Sequence, residues 1–481
     1  MHGRLDYVIC LILALTAAWL GRNRPQYSLA LCLFILPYDR VQVIILRLDL
    51  NTLIVAGCFF GLLSRQGIKI VAGARHGLWI WVMAAWLLAC LCISLATGSY
   101  AVLDLVSGTS PVSPTAAAMS HLNIVAGGWM LYVHAVYVTD RWPNWKMYIG
   151  AFLASCSYYA VTYVFSYRLG LDVPGWLETV FPGEIRSEVF GGYDGGSGLA
   201  GEYATTLFAL AAVAMVAIEL RSWQRAGAVL VLFFSVLFVV SSTSRSAAIG
   251  LAIVAVGIIG VARQAGRRRA SRALAILAGL AVSLVWLSSW SGLSFLSEKF
   301  GDWSAVGADG RVSADEATRR PYHTLPEIVA ASGLCGAGPL HAEAMLGSNL
   351  VSHCLVVNWI ATIGLVGMSV QLAFLVLIGR DVWKAARRCV GEEKAIALGL
   401  GALLLALAEN QFFHSYEQTS ASMLRMWFLY AMAAVLANRV DASERAAEES
   451  RRAVRRTCGR GRAGAPVAAK RGLRPVNSQH Q

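Results

Sequence analysis

The feature that most constrains this chain is the recurrence of apolar blocks about as long as a bilayer is thick. A helix rising 1.5 Å per residue needs roughly 17–25 apolar residues to cross a membrane. Candidate blocks lie at 5–20, 27–46, 50–64, 77–97, 122–139, 146–166, 198–219, 226–241, 245–262, 273–290, 350–378, 395–408 and 420–438. The fold class they predict is all-α, a polytopic transmembrane helical bundle of about 12–13 spans with one large loop at 291–349. Composition agrees: 57% of residues are apolar and 14% charged, against about 25% charged in soluble domains. The first block lacks a small-residue cleavage site and reads as a span rather than a removable signal. Two regions result: 1–438, the membrane region with its loop, and 439–481, a basic tail expected to be disordered and cytoplasmic.

The charge pattern sets orientation. Net charge is +13, but the basic residues sit between blocks and in the tail, which is the positive-inside pattern and requires no nucleic acid. The stretch 263–272 holds five arginines and no acid. Stretches 65–75 and 380–394 are also base-rich, and all three read as cytoplasmic. Alternation then places 98–120, 167–197, 242–244, 291–349 and 409–419 on the other side. Stretch 98–120 has no Lys or Arg, and 167–197 is acidic. The tail carries Arg451, Arg452, Arg455, Arg456, Arg460 and Arg462, an orientation signal suited to anionic lipid. The cysteines are scattered. Cys90 and Cys92 would face different sides of a helix, so no metal site is expected. The spacing of Cys335 and Cys354 permits a disulfide without requiring one.

Charges at membrane depth are costly and therefore mark candidate functional residues. Arg245 stands in Ser241-Ser242-Thr243-Ser244-Arg245-Ser246, a turn too short to be a solvated loop. Its guanidinium suits phosphate or pyrophosphate, and its place on the non-cytoplasmic side, against the usual charge bias, favours that reading over snorkelling to lipid headgroups. In the large loop, Arg311 and Arg319 are basic candidates. His353 stands where the loop re-enters an apolar helix, and can accept a proton from a hydroxyl. Glu409 and His414 lie in the short polar connection before the last block. Glu202 lies in the opening of the block at 198–219, where the helix dipole favours a carboxylate. The loop has no paired carboxylates at metal-ligand spacing, so no metal or other cofactor is implied.

The order of these features resembles the O-antigen ligase and O-antigen polymerase superfamily. Four stretches carry the resemblance: Gly191-Gly192-Tyr193-Asp194-Gly195-Gly196-Ser197-Gly198-Leu199-Ala200; Ser242-Thr243-Ser244-Arg245-Ser246-Ala247; Gly310-Arg311 with Gly336-Ala337-Gly338-Pro339; and Ser352-His353-Cys354-Leu355 with Gly364-Leu365-Val366-Gly367. The chain departs from the family pattern at Cys354 and at Glu202-Tyr203, where the family commonly has Asn. The resemblance implies inverting glycan transfer at the periplasmic face of a bacterial inner membrane. The donor would be an undecaprenyl-diphosphate-linked saccharide, and the acceptor a hydroxyl of a glycan or lipid A core, in exopolysaccharide or O-antigen polymerisation or ligation. It implies Arg245, Arg311 and Arg319 as pyrophosphate ligands and His353 as the base. Glu202, Glu409 and His414 would support them, and other polysaccharide assembly proteins are expected partners.

Two other classes fit the blocks. A polysaccharide transporter or lipid-linked oligosaccharide flippase would explain membrane charges without catalysis, although no internal repeat is visible. A scaffold recruiting partners through its basic tail would need only that tail.

Overall fold

The structure, a computed structural model, describes residues 2–36, 42–43, 48–97, 114–155, 196–242, 245–264, 271–272, 275–279, 282, 325–336, 355–411 and 420–460. These residues are helical apart from turns and one short antiparallel pair, β1 (Gln42–Val43) with β2 (Leu48–Asp49). The first half holds α1 (His2–Asn23), α2 (Pro25–Phe34), α3 (Leu50–Gln66), α4 (Lys69–Ala72), α5 (Gly77–Thr97), α6 (Pro114–Arg141) and α7 (Trp145–Ala154). The second half holds α8 (Gly196–Ala217), α9 (Ser222–Ser242), α10 (Arg245–Gln264), α11 (Leu325–Ser332), α12 (Leu355–Arg388), α13 (Gly391–Asn410) and α14 (Ser420–Arg460).

Among the described residues, two helical stretches, His121–Arg141 and Leu355–Arg388, are long and apolar enough to cross a membrane. Shorter apolar helical stretches occupy Gly77–Ile93, Glu202–Ala217, Ser222–Val236 and Ala247–Arg263. Many outward-facing residues are apolar: Leu15, Trp81, Leu230, Val256 and Val376 are each more than half exposed.

Most expected blocks coincide with helices, with two differences. The block at 27–46 is not one helix, since α2 ends at Phe34 and Gln42–Val43 is extended. Its apolar run is interrupted by Pro37, which lacks an N–H to continue a helix. The last helix does not stop near residue 438 but continues to Arg460. Up to that point the tail is helical rather than disordered. Its Ala, Glu and Arg content favours helix, and Arg452 pairs with Glu448 one turn away. Residues 156–166 of the block at 146–166, most of the block at 273–290 and most of loop 291–349 lie outside the described residues.

Packing is closest where small residues meet. A Cβ on Gly61 would lie 2.0 Å from the Ala18 carbonyl oxygen, so α1 and α3 touch backbone to backbone. Elsewhere large rings fill the interior. Phe374 of α12 packs on Trp427 of α14 with centroids 5.1 Å apart, and Tyr132 of α6 meets Trp427 edge to face at 5.7 Å. Such pairs add to simple burial because ring edges and faces carry opposite partial charge.

One end of the bundle is closed by ions. Arg75, just before α5, donates Nε and Nη2 to the two oxygens of the wholly buried Asp381 in α12, each at 2.6 Å. Its Nη1 reaches Asp441 of α14 at 2.5 Å. His76 Nε2 lies 2.7 Å from Asp381 Oδ2, and Lys384 pairs with Asp441 and Glu444. Burial opposes the Arg75 charge, yet the two aspartates hold its guanidinium protonated well above the usual arginine range. Burial likewise opposes the Asp441 carboxylate, and Lys384 and Arg75 outweigh it to hold that group below its ordinary value.

Helix α12 is broken in its first third. Gly364 adopts φ 69° and ψ −177°, a conformation open in practice to glycine alone. The backbone groups freed by the break find other partners. The turn after α11 accepts from Leu365 N at the Gly333 carbonyl and from Val366 N at the Leu334 carbonyl, both at 3.3 Å. Trp86 Nε1 of α5 donates to the Ile363 carbonyl at 2.9 Å. A stretch inside the expected large loop is thus packed into the middle of an apolar helix. A Cβ on Gly364 would lie 2.2 Å from the Leu334 oxygen. Gly364→Ala therefore combines strain with a backbone clash and is expected to cost at least ~2 kcal/mol. The thermal midpoint in detergent should fall by several degrees, whereas Gly379→Ala, on the same helix with nothing within 4 Å of the new methyl, should leave it unchanged. Equal midpoints would show that the break is not formed.

Candidate functional site

At the end of the bundle opposite the Arg75 network, several helix ends converge on a buried polar cluster. Glu202, in the second turn of α8, and Arg425, in the second turn of α14, form an ion pair with Nη2 and Oε2 2.6 Å apart. The side chains are 0% and 1% exposed respectively. The other Glu202 oxygen accepts from Gln411 Nε2 at 3.4 Å. Gln411 follows α13, and its own carbonyl accepts from Leu355 N at 3.0 Å, capping the first residue of α12. One turn beyond Glu202, Thr205 Oγ1 donates to the Ala247 carbonyl at 3.3 Å, which brings the start of α10 alongside. The Tyr203 ring lies 5.9 Å from the Arg425 guanidinium and stacks on Phe152.

The local sequence explains this arrangement. Leu207, Leu210, Ala211 and Ala214 make α8 apolar on the faces it buries, so Glu202 cannot reach solvent along its own helix. A carboxylate in such surroundings stays charged only beside a cation with matching hydrogen bonds. Arg425 supplies both, and its fork of donors is fixed in shape. Among the described residues, Arg425 Nε and Glu409 Oε2 are buried without a hydrogen-bond partner. Glu409 stands two residues before Gln411, in the last turn of α13, beside the residue that donates to Glu202. The cluster therefore holds two carboxylates and one guanidinium, with one donor and one acceptor unsatisfied.

Between α12, α13 and α14 runs an apolar groove of about 430 Å³, lined by Leu355, Trp359, Leu372, Leu405, Met426 and Tyr430 among others. Gln411 also lines it, so the groove meets the polar cluster.

Of the residues expected from sequence, the structure brings Glu202 and Glu409 together. Arg245 is the first residue of α10, and its backbone places it two residues before the Ala247 carbonyl that Thr205 contacts. His353, Arg311, Arg319 and His414 lie outside the described residues, as does Cys354. The helix that follows His353 begins in the cluster. Glu202 differs from expectation in its setting: it does not cap a first turn, because α8 starts at Gly196, but neutralises a buried arginine. Sequence reasoning missed Arg425. A signal existed, since it is the one charge in the apolar run from Met423 to Ala437, and such a charge demands a partner. No set of three or more His, Cys, Asp or Glu side chains able to hold a metal occurs among the described residues. No protein-family model matches the chain, and no curated protein matches it.

Removing one partner of a buried pair strands the other charge at about 3–5 kcal/mol. Arg425→Ala and Glu202→Ala should each lower the thermal midpoint sharply. The Glu202→Gln, Arg425→Met double variant should recover most of the loss. A double-mutant cycle in detergent measures the coupling, and strictly additive losses would show that the pair does not form.

Proposed function

We propose that this protein is a multi-pass enzyme of a bacterial inner membrane that transfers a glycan from an undecaprenyl-diphosphate carrier to an acceptor hydroxyl at the periplasmic face, as an exopolysaccharide or O-antigen polymerase or ligase. The observation that carries the reading is the convergence of the starts of α10 and α12 with the Glu202–Arg425–Gln411 cluster. Arg245 opens the first of these helices, and His353 precedes the second by two residues. The helices that follow these two motifs, which are more than a hundred residues apart in sequence, start at the same end of the bundle. Membrane immersion is supported by the two long apolar helices and by the outward-facing Leu15, Trp81, Leu230, Val256 and Val376. On a water-facing surface, apolar residues in such numbers would favour aggregation.

The mechanism follows from that placement. The leaving group is a lipid-anchored diphosphate, which accumulates charge as the glycosidic bond breaks. Arg245, with Arg311 and Arg319 from the loop, would bind it and stabilise that charge. The N-terminal ends of α10 and α12 carry partial positive charge toward the same place. His353 would take the proton of the attacking hydroxyl. Attack opposite the leaving diphosphate inverts the anomeric centre. The groove between α12, α13 and α14 suits the apolar chain of the carrier, because it is apolar along its length and polar where it meets Gln411. Glu202 and Arg425 hold the helix ends in place. The apolar length of the chain and its outward-facing apolar residues support the bilayer as its partner.

In reconstituted membranes, His353→Ala should abolish glycan transfer at unchanged protein level. Arg245→Ala should raise the KM for the lipid-diphosphate donor roughly tenfold or more, the loss expected for one charge-assisted contact. Full transfer by His353→Ala would remove it as the base, and lipid-linked sugar scrambled across vesicles without a new bond would favour a flippase.

A further inference from the structure

Helix α14 runs unbroken from Ser420 to Arg460 and so continues well past the bundle it helps to build. Its exit from the bundle is tied down by ion pairs. Asp441 meets Arg75 and Lys384, and Glu444 meets Lys384 and Arg388. Every residue from Ala442 to Ala453 is nonetheless exposed, the alanines included, so no face of this stretch is buried among the described residues. A lone helix in water is supported by charge pairs one turn apart, and Glu448 with Arg452, at 2.6 Å, is such a pair. The result is a helical rod that leaves the bundle.

Charge along the rod is ordered. Residues 441–449 hold Asp441, Glu444, Glu448 and Glu449 against a single base, Arg445. Residues 450–460 hold Arg451, Arg452, Arg455, Arg456 and Arg460 and no acid. By sequence alone these arginines suit anionic lipid, but the helix carries them away from it. Arg451 stands ten residues past Asp441 and Arg460 nineteen, rises of about 15 Å and about 29 Å. A headgroup layer adds only roughly 5–8 Å beyond the hydrocarbon, and surface charge is screened over about 8 Å. With Asp441 at the cytoplasmic edge of the apolar core, Arg455, Arg456 and Arg460 are beyond reach of the surface from which the rod rises.

The order of the two charge blocks discriminates between partners. A second copy in the same membrane sets acid against acid and arginine against arginine, which repels. A nucleic acid matches the arginines but is repelled by Glu448, Glu449 and the anionic membrane surface. A helix emerging from another membrane protein carries its Lys and Arg next to the bilayer, by the positive-inside rule. Where acids follow those bases, both blocks match at once. We propose that residues 442–460 are a docking rod for the cytoplasmic helix of a second membrane protein, one that is basic beside the bilayer and acidic farther out. The bases of that helix meet Glu448 and Glu449, and its acids meet the arginines. The proposal rests on the multi-pass reading above.

The test uses the full-length protein in phosphatidylcholine vesicles with a lipid-anchored probe peptide, in which a lysine block follows the anchor and a glutamate block comes after it. A second probe has the same composition with the blocks reversed. Carbodiimide joins carboxylates to lysines, and mass spectrometry maps the sites. The first probe should couple to Glu448 or Glu449 with a yield roughly tenfold above that of the second. Replacing all five arginines of 451–460 by glutamine should lower the yield by a similar factor. Ala453→Pro, which breaks the rod and keeps its charges, should lower it too. The thermal midpoint should stay unchanged in both variants, because the altered residues lie outside the bundle. Equal yields from the two probes, or from the wild type and either variant, would overturn the proposal. Loss of the coupling in vesicles containing phosphatidylglycerol would overturn it in favour of lipid, and loss to an equimolar DNA duplex in favour of nucleic acid. Release of the protein by alkaline carbonate would overturn the multi-pass reading and the proposal with it, whereas retention without coupling overturns the proposal alone.

Discussion

The arrangement of the second half of the molecule depends on the buried Glu202–Arg425 ion pair. Neither charge has access to solvent, and desolvating either alone would cost several kcal/mol. The pair must therefore form, which fixes α8 against α14. Glu202 is shared with Gln411 at the end of α13, and the Gln411 carbonyl caps α12. One ionic contact thus sets the relation of four helices. This pair gives specificity of placement more than net stability, since apolar residues of similar volume could pack there as well.

The opposite end has a matching tie. Arg75 and Lys384 bind Asp381 and Asp441, so α12 and α14 are each held at a second point. Arg425 and Asp441 are sixteen residues apart on α14, a rise of about 24 Å. Between the two ties lie Phe374, Trp427, Tyr430 and Tyr132, whose rings interlock. Ionic contacts at the ends fix register, and the rings between them supply the apolar burial. The buried Asp381 carboxyl is met by three nitrogens, Nε and Nη2 of Arg75 and Nε2 of the adjacent His76.

The break in α12 is one of the places where the two halves of the chain meet. A helix interior that loses its own hydrogen bonds needs substitutes, and here α5 and the turn after α11 supply them. The stretch that reads by sequence as an external loop therefore includes a segment seated inside the bundle. The described part of that loop, 325–336, is rooted in the bundle through its contacts with Leu365 and Val366. The upper part of α12, from Leu355 to Ile363, is then held at its top by Gln411 and at its base by Trp86.

Much was legible from the sequence because it depends on local properties. Apolar blocks of membrane length dictated helices, since only a helix satisfies its own backbone without neighbours. Their ends agreed closely for α5, α8, α10 and α13. Pro37 ended α2 early, and an Ala-, Glu- and Arg-rich stretch carried α14 past its apolar run. Glu202 and Glu409 were recognisable as costly charges, and the Ser242-to-Ala247 turn as a tight connection. What the tertiary structure alone decided is which charges meet. No periodicity links Glu202 to Arg425 or Arg75 to Asp381, because pairing across hundreds of residues depends on how helices stack. The same holds for Gly364. Its sequence context reads as a small residue in a span, and only the arrival of the turn at 333–336 makes it a break. A sequence fixes what each segment can satisfy by itself. The folded chain decides who satisfies the remainder.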